Sequence, residues 1–217
     1  MNTATNSENL PDQDASGAPE APTRKRPKPG ERRLQILQTL ASMLEQPGAE
    51  RITTAALSAK LGVSEAALYR HFASKAQMFE GLIEFVEQSV FALVRQVTDR
   101  EAAGPVQVAR IVALILQFAE KNPGMARVMT GDALVFENDR LQERMNLLFD
   151  KLESALKQSL REGARQEGAQ SDTPTVDAQV QASLLVAFMM GRLQRFARSG
   201  FKRLPSENLQ PSLARVL

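Results

Sequence analysis

Residues 51–75 read RITTAALSAKLGVSEAALYRHFASK, and the punctuation of this stretch decides the fold. Thr53 and Thr54 are side chains that cap a helix start, so Ala55–Leu61 is expected as a short helix with Ala56, Leu57 and Leu61 inward. Gly62 can adopt the left-handed conformation that stops a helix, and Ser64 can cap the next one. Glu65–Phe72 is then a second short helix, closed before a new cap at Ser74. Helix, tight glycine turn, helix is the layout of a helix-turn-helix, whose second helix enters the DNA major groove.

The residue types of that second helix suit the task. Ala66 and Ala67 permit close approach to a groove, and Ser64, Glu65, Ala66 and Tyr69 stand where base edges are read. A carboxylate such as Glu65 can accept from a cytosine amino group, although the same charge is favoured at a helix N-terminus by the macrodipole. Thr53 and Thr54 suit phosphate oxygens through hydroxyls and helix-terminal amides, and capping explains them as well. Arg70, His71 and Lys75 are expected to anchor the DNA backbone. Arg24–Arg33 holds six bases and one acid, a segment that can reach the minor groove or flanking phosphates, or remain simply solvated.

Outward from the motif, the pattern is helical throughout. Leu34, Leu37, Leu40, Ala41 and Leu44 share a face of a first helix that begins near Gly30 and ends at Pro47-Gly48. From Lys75 a long helix runs to about Val97, with Met78, Phe79, Leu82, Phe85, Val86, Val90 and Val94 on its apolar side. Gly104-Pro105 opens a helix that is apolar almost all round, and Asn122-Pro123-Gly124 ends it before a short helix, Met125–Thr130. Leu141–Gly163 carries a stripe of period near 3.6. Gln166–Pro174 is a polar loop, and Val176–Ser199 is a last long helix terminated by Gly200. No segment alternates as a strand does.

Composition narrows the function. A chain of 217 residues with 43% apolar content can bury a sizeable core. With no cysteine and one histidine, there is neither a disulfide framework nor a His/Cys metal cluster. No nucleophile–base pair, phosphate-cradling glycine loop or carboxylate dyad stands out, so catalysis and cofactors are not expected. The longest apolar run, Leu184–Met190, is too short to span a bilayer, and the expected location is the cytoplasm, without membrane attachment. Residues 1–23 carry four acids and no base, and residues 1–29 hold five prolines, the composition of a disordered arm.

The stretch GVSEAALYRHFASK, followed by an amphipathic helix, resembles the DNA-binding head of the TetR family of repressors, over Arg33 to about Leu82. That resemblance implies an all-α fold: an arm (1–29), a three-helix head (30–75), a helical bundle (76–203) that forms a homodimer, and a tail (204–217) of no assigned role. It also implies that the last two long helices pair with their symmetry mates, with Leu148, Leu152, Leu184, Phe188 and Gly191 as expected dimer contacts, and that the dimer binds near-palindromic sites on double-stranded DNA. Within the family, the chain is similar to the nucleoid-occlusion factors in RITTAALSAKLGVSEAALYRHF, LIEFVE (82–87), EKNPG (120–124), TGDALVFENDRLQERMN (130–146) and RFARSGFK (195–202). The similarity implies a nucleoid-associated protein that binds the division protein FtsZ and restrains its assembly over the chromosome. Phe85, Leu114, Lys121 and Asn122 are the implied FtsZ contacts. Phe85 and Leu114 fall on apolar stripes and by themselves read more readily as core, and Lys121 suits a helix C-terminus on its own. The other outcome within the family is a ligand-responsive repressor, with Phe118, Phe136, Phe149 and Phe188 lining a pocket or filling the core.

Overall fold

The computed structural model describes Met1, residues 30–46, 51–166, 168 and 172–217. Residues 2–29 of the arm, the Pro47-Gly48 stop and residues 167 and 169–171 of the polar loop lie outside the described residues. Among the described residues there are nine α-helices and one 3-10 turn, with no strand: α1 (Glu31–Leu44), α2 (Thr54–Leu61), α3 (Glu65–Tyr69), α4 (Lys75–Thr98), α5 (Pro105–Lys121), α6 (Pro123–Met129), a 3-10 turn (Asp132–Leu134), α7 (Asp139–Gln166), α8 (Pro174–Arg198) and α9 (Leu209–Leu213).

Helix α4 joins the head to the body. Ser74 caps it by accepting from the Gln77 amide at 3.2 Å, and Met78, Phe79, Leu82, Ile83, Val86, Val90 and Val94 are buried along it. Helix α5 turns back beside α4, and Gly104 at φ +132° followed by Pro105 at the first helical position sets that turn. Buried polar groups fix the turn to α7. The Gly104 amide donates to the Ser159 hydroxyl (3.2 Å), Ser159 donates to Gln107 Oε1 (2.5 Å), and Gln107 Nε2 donates to the Glu101 carbonyl (2.7 Å). A Cβ on Gly163 would stand 2.4 Å from the Gly104 Cα, so glycine permits this close crossing.

At the opposite end of the bundle the head docks. A Cβ on Gly124 of α6 would lie 2.3 Å from the Ala41 carbonyl of α1, so backbone packs on backbone here too. Three ion pairs run between α4 and the segment entering α7: Lys75 with Glu137, Glu80 with Arg140 (2.6 Å) and Glu87 with Arg144 (2.5 Å). The fork from Arg144 to both Glu87 oxygens raises the guanidinium above its ordinary pKa. Helices α7 and α8 then form the most extensive helix pair of the bundle.

Several expectations are corrected. Ala56 and Leu34 are exposed, and the buried positions on their helices are Leu57 with Ser58, and Ile36, Leu40 and Leu44. Helix α3 stops at Tyr69 rather than Phe72, and its end tightens, with the His71 amide reaching the Leu68 carbonyl three residues back. Helix α6 begins at Pro123, α7 extends beyond its Leu141–Gly163 stripe at both ends, and α8 starts two residues before Val176 and ends at Arg198 rather than Ser199. Segment 204–217, expected only as a tail, packs on the bundle. Leu209 and Leu213 of α9 are buried, and Arg192 of α8 donates to the Pro205 and Glu207 carbonyls and to the Ser212 hydroxyl.

Candidate nucleic-acid interface

The head is held together by local hydrogen bonds that its sequence specifies. Thr53 caps α2 by accepting from the Ala56 amide at 3.1 Å. Gly62, at φ +66°, closes α2 with its own amide on the Ala59 carbonyl and the Val63 amide on the Ser58 carbonyl, the bond pair of a Schellman motif. Ser64 caps α3 through the Ala67 amide at 3.3 Å. With five residues, α3 is too short to persist alone. It is seated by Leu68, which is 0% exposed.

Three further contacts fix the recognition helix and its exit. Thr54 Oγ1 donates to Glu65 Oε2 at 2.6 Å, which ties the N-terminus of α2 to that of α3. Arg33 Nη1 donates to the His71 carbonyl at 2.8 Å, and its guanidinium lies 4.0 Å from the centre of the buried Phe72 ring. The Ala73 amide donates to Gln77 Oε1 at 2.8 Å and binds the exit of the motif to α4.

The expected DNA contacts divide on this geometry. Thr53, Ser64, Glu65, Ala66, Tyr69, Arg70 and His71 are exposed, Tyr69 by 46%, and Thr54 is half-buried. The Thr54–Glu65 bond engages one carboxylate oxygen and leaves the other for an outside donor. The Lys75 ammonium is turned onto Glu137 and lies 5.6 Å from the Phe79 ring centre, at the head–body junction. Arg33 is likewise committed within the head. Two cations were not singled out from sequence, Arg51 and Lys60. Both are exposed on the flanks of α2, with no ion pair among the described residues. Nothing in their local sequence distinguishes them from solvated surface charge.

The remaining expected positions lie on the bundle. Phe85 is 47% exposed with its ring 6.0 Å from that of Phe118. Leu114, Phe118, Lys121 and Asn122 line a groove of about 280 Å³ between α4 and α5. Phe85 and Asn122, with Leu34, Leu82 and Met125, line an adjoining groove of about 300 Å³ between α1 and α4. The structure therefore brings Phe85, Leu114, Lys121 and Asn122 to one surface strip, joined at Asn122. The expected dimer contacts split differently. Leu148 and Leu152 are buried in the protomer's own core and cannot be primary contacts, whereas Leu184 is 54% exposed, Gly191 is exposed and Phe188 is half-buried. Of the phenylalanines considered for a ligand pocket, Phe149 is buried, Phe136 exposed, and Phe118 and Phe188 half-buried.

A capped helix-turn-helix presenting an exposed, small-sided recognition helix on an all-helical body defines a DNA-binding regulator of the helix-turn-helix class. Residues 36–82 match the family model "Bacterial regulatory proteins, tetR family", and residues 103–215 match the SlmA-like "Tetracyclin repressor-like, C-terminal domain". The chain is 53% identical to the nucleoid occlusion factor SlmA of Idiomarina loihiensis, over 82% of this chain and 89% of that one. It is 49% identical to the SlmA of Vibrio cholerae over the same shares. Its fold is also that of the TetR-family regulator PfmR from Thermus thermophilus, at a TM-score of 0.66 and 19% identity, covering 84% of this chain and 94% of that one. The chain belongs to the TetR family and, within it, to the SlmA nucleoid occlusion factors.

Proposed function

We propose that the protein acts as a DNA-bound homodimer that engages FtsZ and keeps its polymers from assembling over the chromosome. The reading is carried by the exposed strip that runs from Phe85 to Lys121. An aromatic ring left half-exposed beside an apolar groove, with a lysine at its end, is suited to an extended peptide that has both apolar and acidic residues. No described helix is long and apolar enough to cross a membrane.

The dimer rests on α8. Val180, Ser183, Leu184, Ala187 and Gly191 are all exposed and recur at spacings of three and four, forming one face. A glycine within a helix costs about 1 kcal/mol relative to alanine, and a Cβ at Gly191 would meet nothing in its own protomer within 4 Å. Close approach by the α8 of a second copy accounts for it. Twofold pairing through this face would set two copies of α3 roughly 34–36 Å apart, one helical turn of DNA, on near-palindromic sites. In this arrangement residues 30–75 form the reading head, Ser64, Glu65, Ala66 and Tyr69 face bases, and Thr53, Thr54, Arg70 and His71 face the backbone. The dimerising bundle begins at residue 76.

The test is to recover the chromosomal fragments bound by the protein and map them. Sites scattered over the chromosome are expected of an occlusion factor. Sites confined to one or two promoters would instead make it a ligand-responsive repressor.

A further inference from the structure

The C-terminal end of α8 carries a charge pattern that neither the recognition helix nor the Phe85–Lys121 strip includes. Residues 192–203, RLQRFARSGFKR, contain five bases and no acid. Three of these, Arg192, Arg195 and Arg203, border a polar concavity of about 260 Å³ with Glu207, Asn208 and Ser212. Arg192 is held rigidly there. Its Nη1 donates to the Pro205 and Glu207 carbonyls (2.8 and 2.6 Å), its Nη2 donates to Ser212 Oγ (2.8 Å), and its guanidinium lies 4.5 Å from the Phe188 ring centre. Its Nε is buried without a hydrogen-bond partner. Arg195 and Arg203 are exposed, and none of the three makes an ion pair among the described residues.

A helix dipole favours cations in its last turn, which accounts for Arg195 and Arg198. It does not account for Arg203, beyond the helix end, or for Arg192, whose neutral partners leave its charge uncompensated. Burial and the adjacent Arg195 both push the Arg192 pKa down, against the opposing pull of Glu207. Like charges are therefore crowded around one opening. Three guanidinium groups against one carboxylate leave two positive charges, and guanidinium forks match the oxygens of a dianionic phosphate.

We propose that Arg195 and Arg203, backed by the positive charge of the fixed Arg192, form a phosphate-group binding site at the end of the bundle where α8 terminates. Two sources could supply that group: a free phosphate-bearing small molecule or the backbone of bound DNA. This end of the bundle is the one next to the head, since Arg127 of α6 lies 5.3 Å from the Phe201 ring and α6 packs on α1.

The probe is pyrophosphate, added to the full-length protein in thermal melts against sodium chloride of equal ionic strength. At about tenfold excess over its dissociation constant, a rise in Tm of about 3–5 °C is expected for the wild type. The R195Q/R203Q variant, altered only at exposed positions, is expected to lose the rise while keeping the unliganded Tm, and R195K/R203K to retain part of it. The salt dependence of DNA binding distinguishes the sources. A log–log slope flattened in R195Q/R203Q by about 0.9 for each lost contact assigns the site to the DNA backbone, and an unchanged slope with a pyrophosphate shift assigns it to a free ligand. The pyrophosphate arm uses no DNA, so it stands or falls separately from the DNA-binding reading. A shift that persists in R195Q/R203Q, or no shift together with an unchanged slope, overturns the proposal.

Discussion

The recognition helix α3 and the last long helix α8 solve opposite problems. Helix α3 is five residues long and relies on one buried side chain, Leu68, on the Ser64 cap and on ties from Thr54 and Arg33. Helix α8 has 25 residues and more apolar surface than its protomer covers: Leu185, Met189 and Leu193 are buried, while Val180 and Leu184 are exposed. The short helix gains its order from its own protomer and spends its exposed face on a ligand. The long one is stable on its inner face, and its outer face calls for a second copy.

That contrast can be broken most sharply at Leu68. Leu68→Ala removes the sole buried anchor of α3, and about 3 kcal/mol of stability is expected to be lost in chemical denaturation, with DNA binding abolished first. A loss below about 1 kcal/mol would mean that caps and clasps seat the helix by themselves. On α8, Leu184→Arg places a charge on the outer face. Dimer affinity is expected to fall by about 2 kcal/mol or more in sedimentation velocity, with helicity unchanged. Leu152→Ala should do the reverse, lowering stability while leaving dimer affinity nearly intact, because Leu152 lies in the core of its own protomer. Smaller effects separate two cations of the head. Arg70→Ala should flatten the salt dependence of DNA binding by about 0.9 log units. Lys75→Ala should leave that slope unchanged and reduce stability modestly, since Lys75 pairs with Glu137. A flattened slope for Lys75→Ala would return it to the phosphates.

The same contrast explains what could be read from sequence. The head was legible because its determinants are local: Thr53, Gly62, Ser64 and Ser74 act on amides and carbonyls within a few residues. The bundle's helices were legible from period alone, with ends shifted by a few residues. Periodicity could not tell a core leucine from an interface leucine. Leu152 and Leu184 look alike in sequence, and only packing puts one inside and the other out. Phe85 falls on the same stripe as Leu82 and Val86, yet it opens to the surface, because the groove beside it lies between α1 and α4. Lys75 and Arg33 read as DNA anchors because their partners, Glu137 and the His71 carbonyl, are 62 and 38 residues away. The packing of 204–217 escaped notice for a related reason: its main tether, Arg192, lies on another helix.

The surface strip and the head meet in one measurement: the fluorescence anisotropy of labelled FtsZ titrated with the protein, with and without its own DNA sites. DNA is expected to tighten FtsZ binding, FtsZ to tighten DNA binding by the same factor, and Lys121→Glu to weaken the FtsZ titration while leaving DNA affinity unchanged. No FtsZ binding in either condition would contradict the occlusion mechanism, and full binding by a folded Lys121→Glu protein would remove Lys121 from the site.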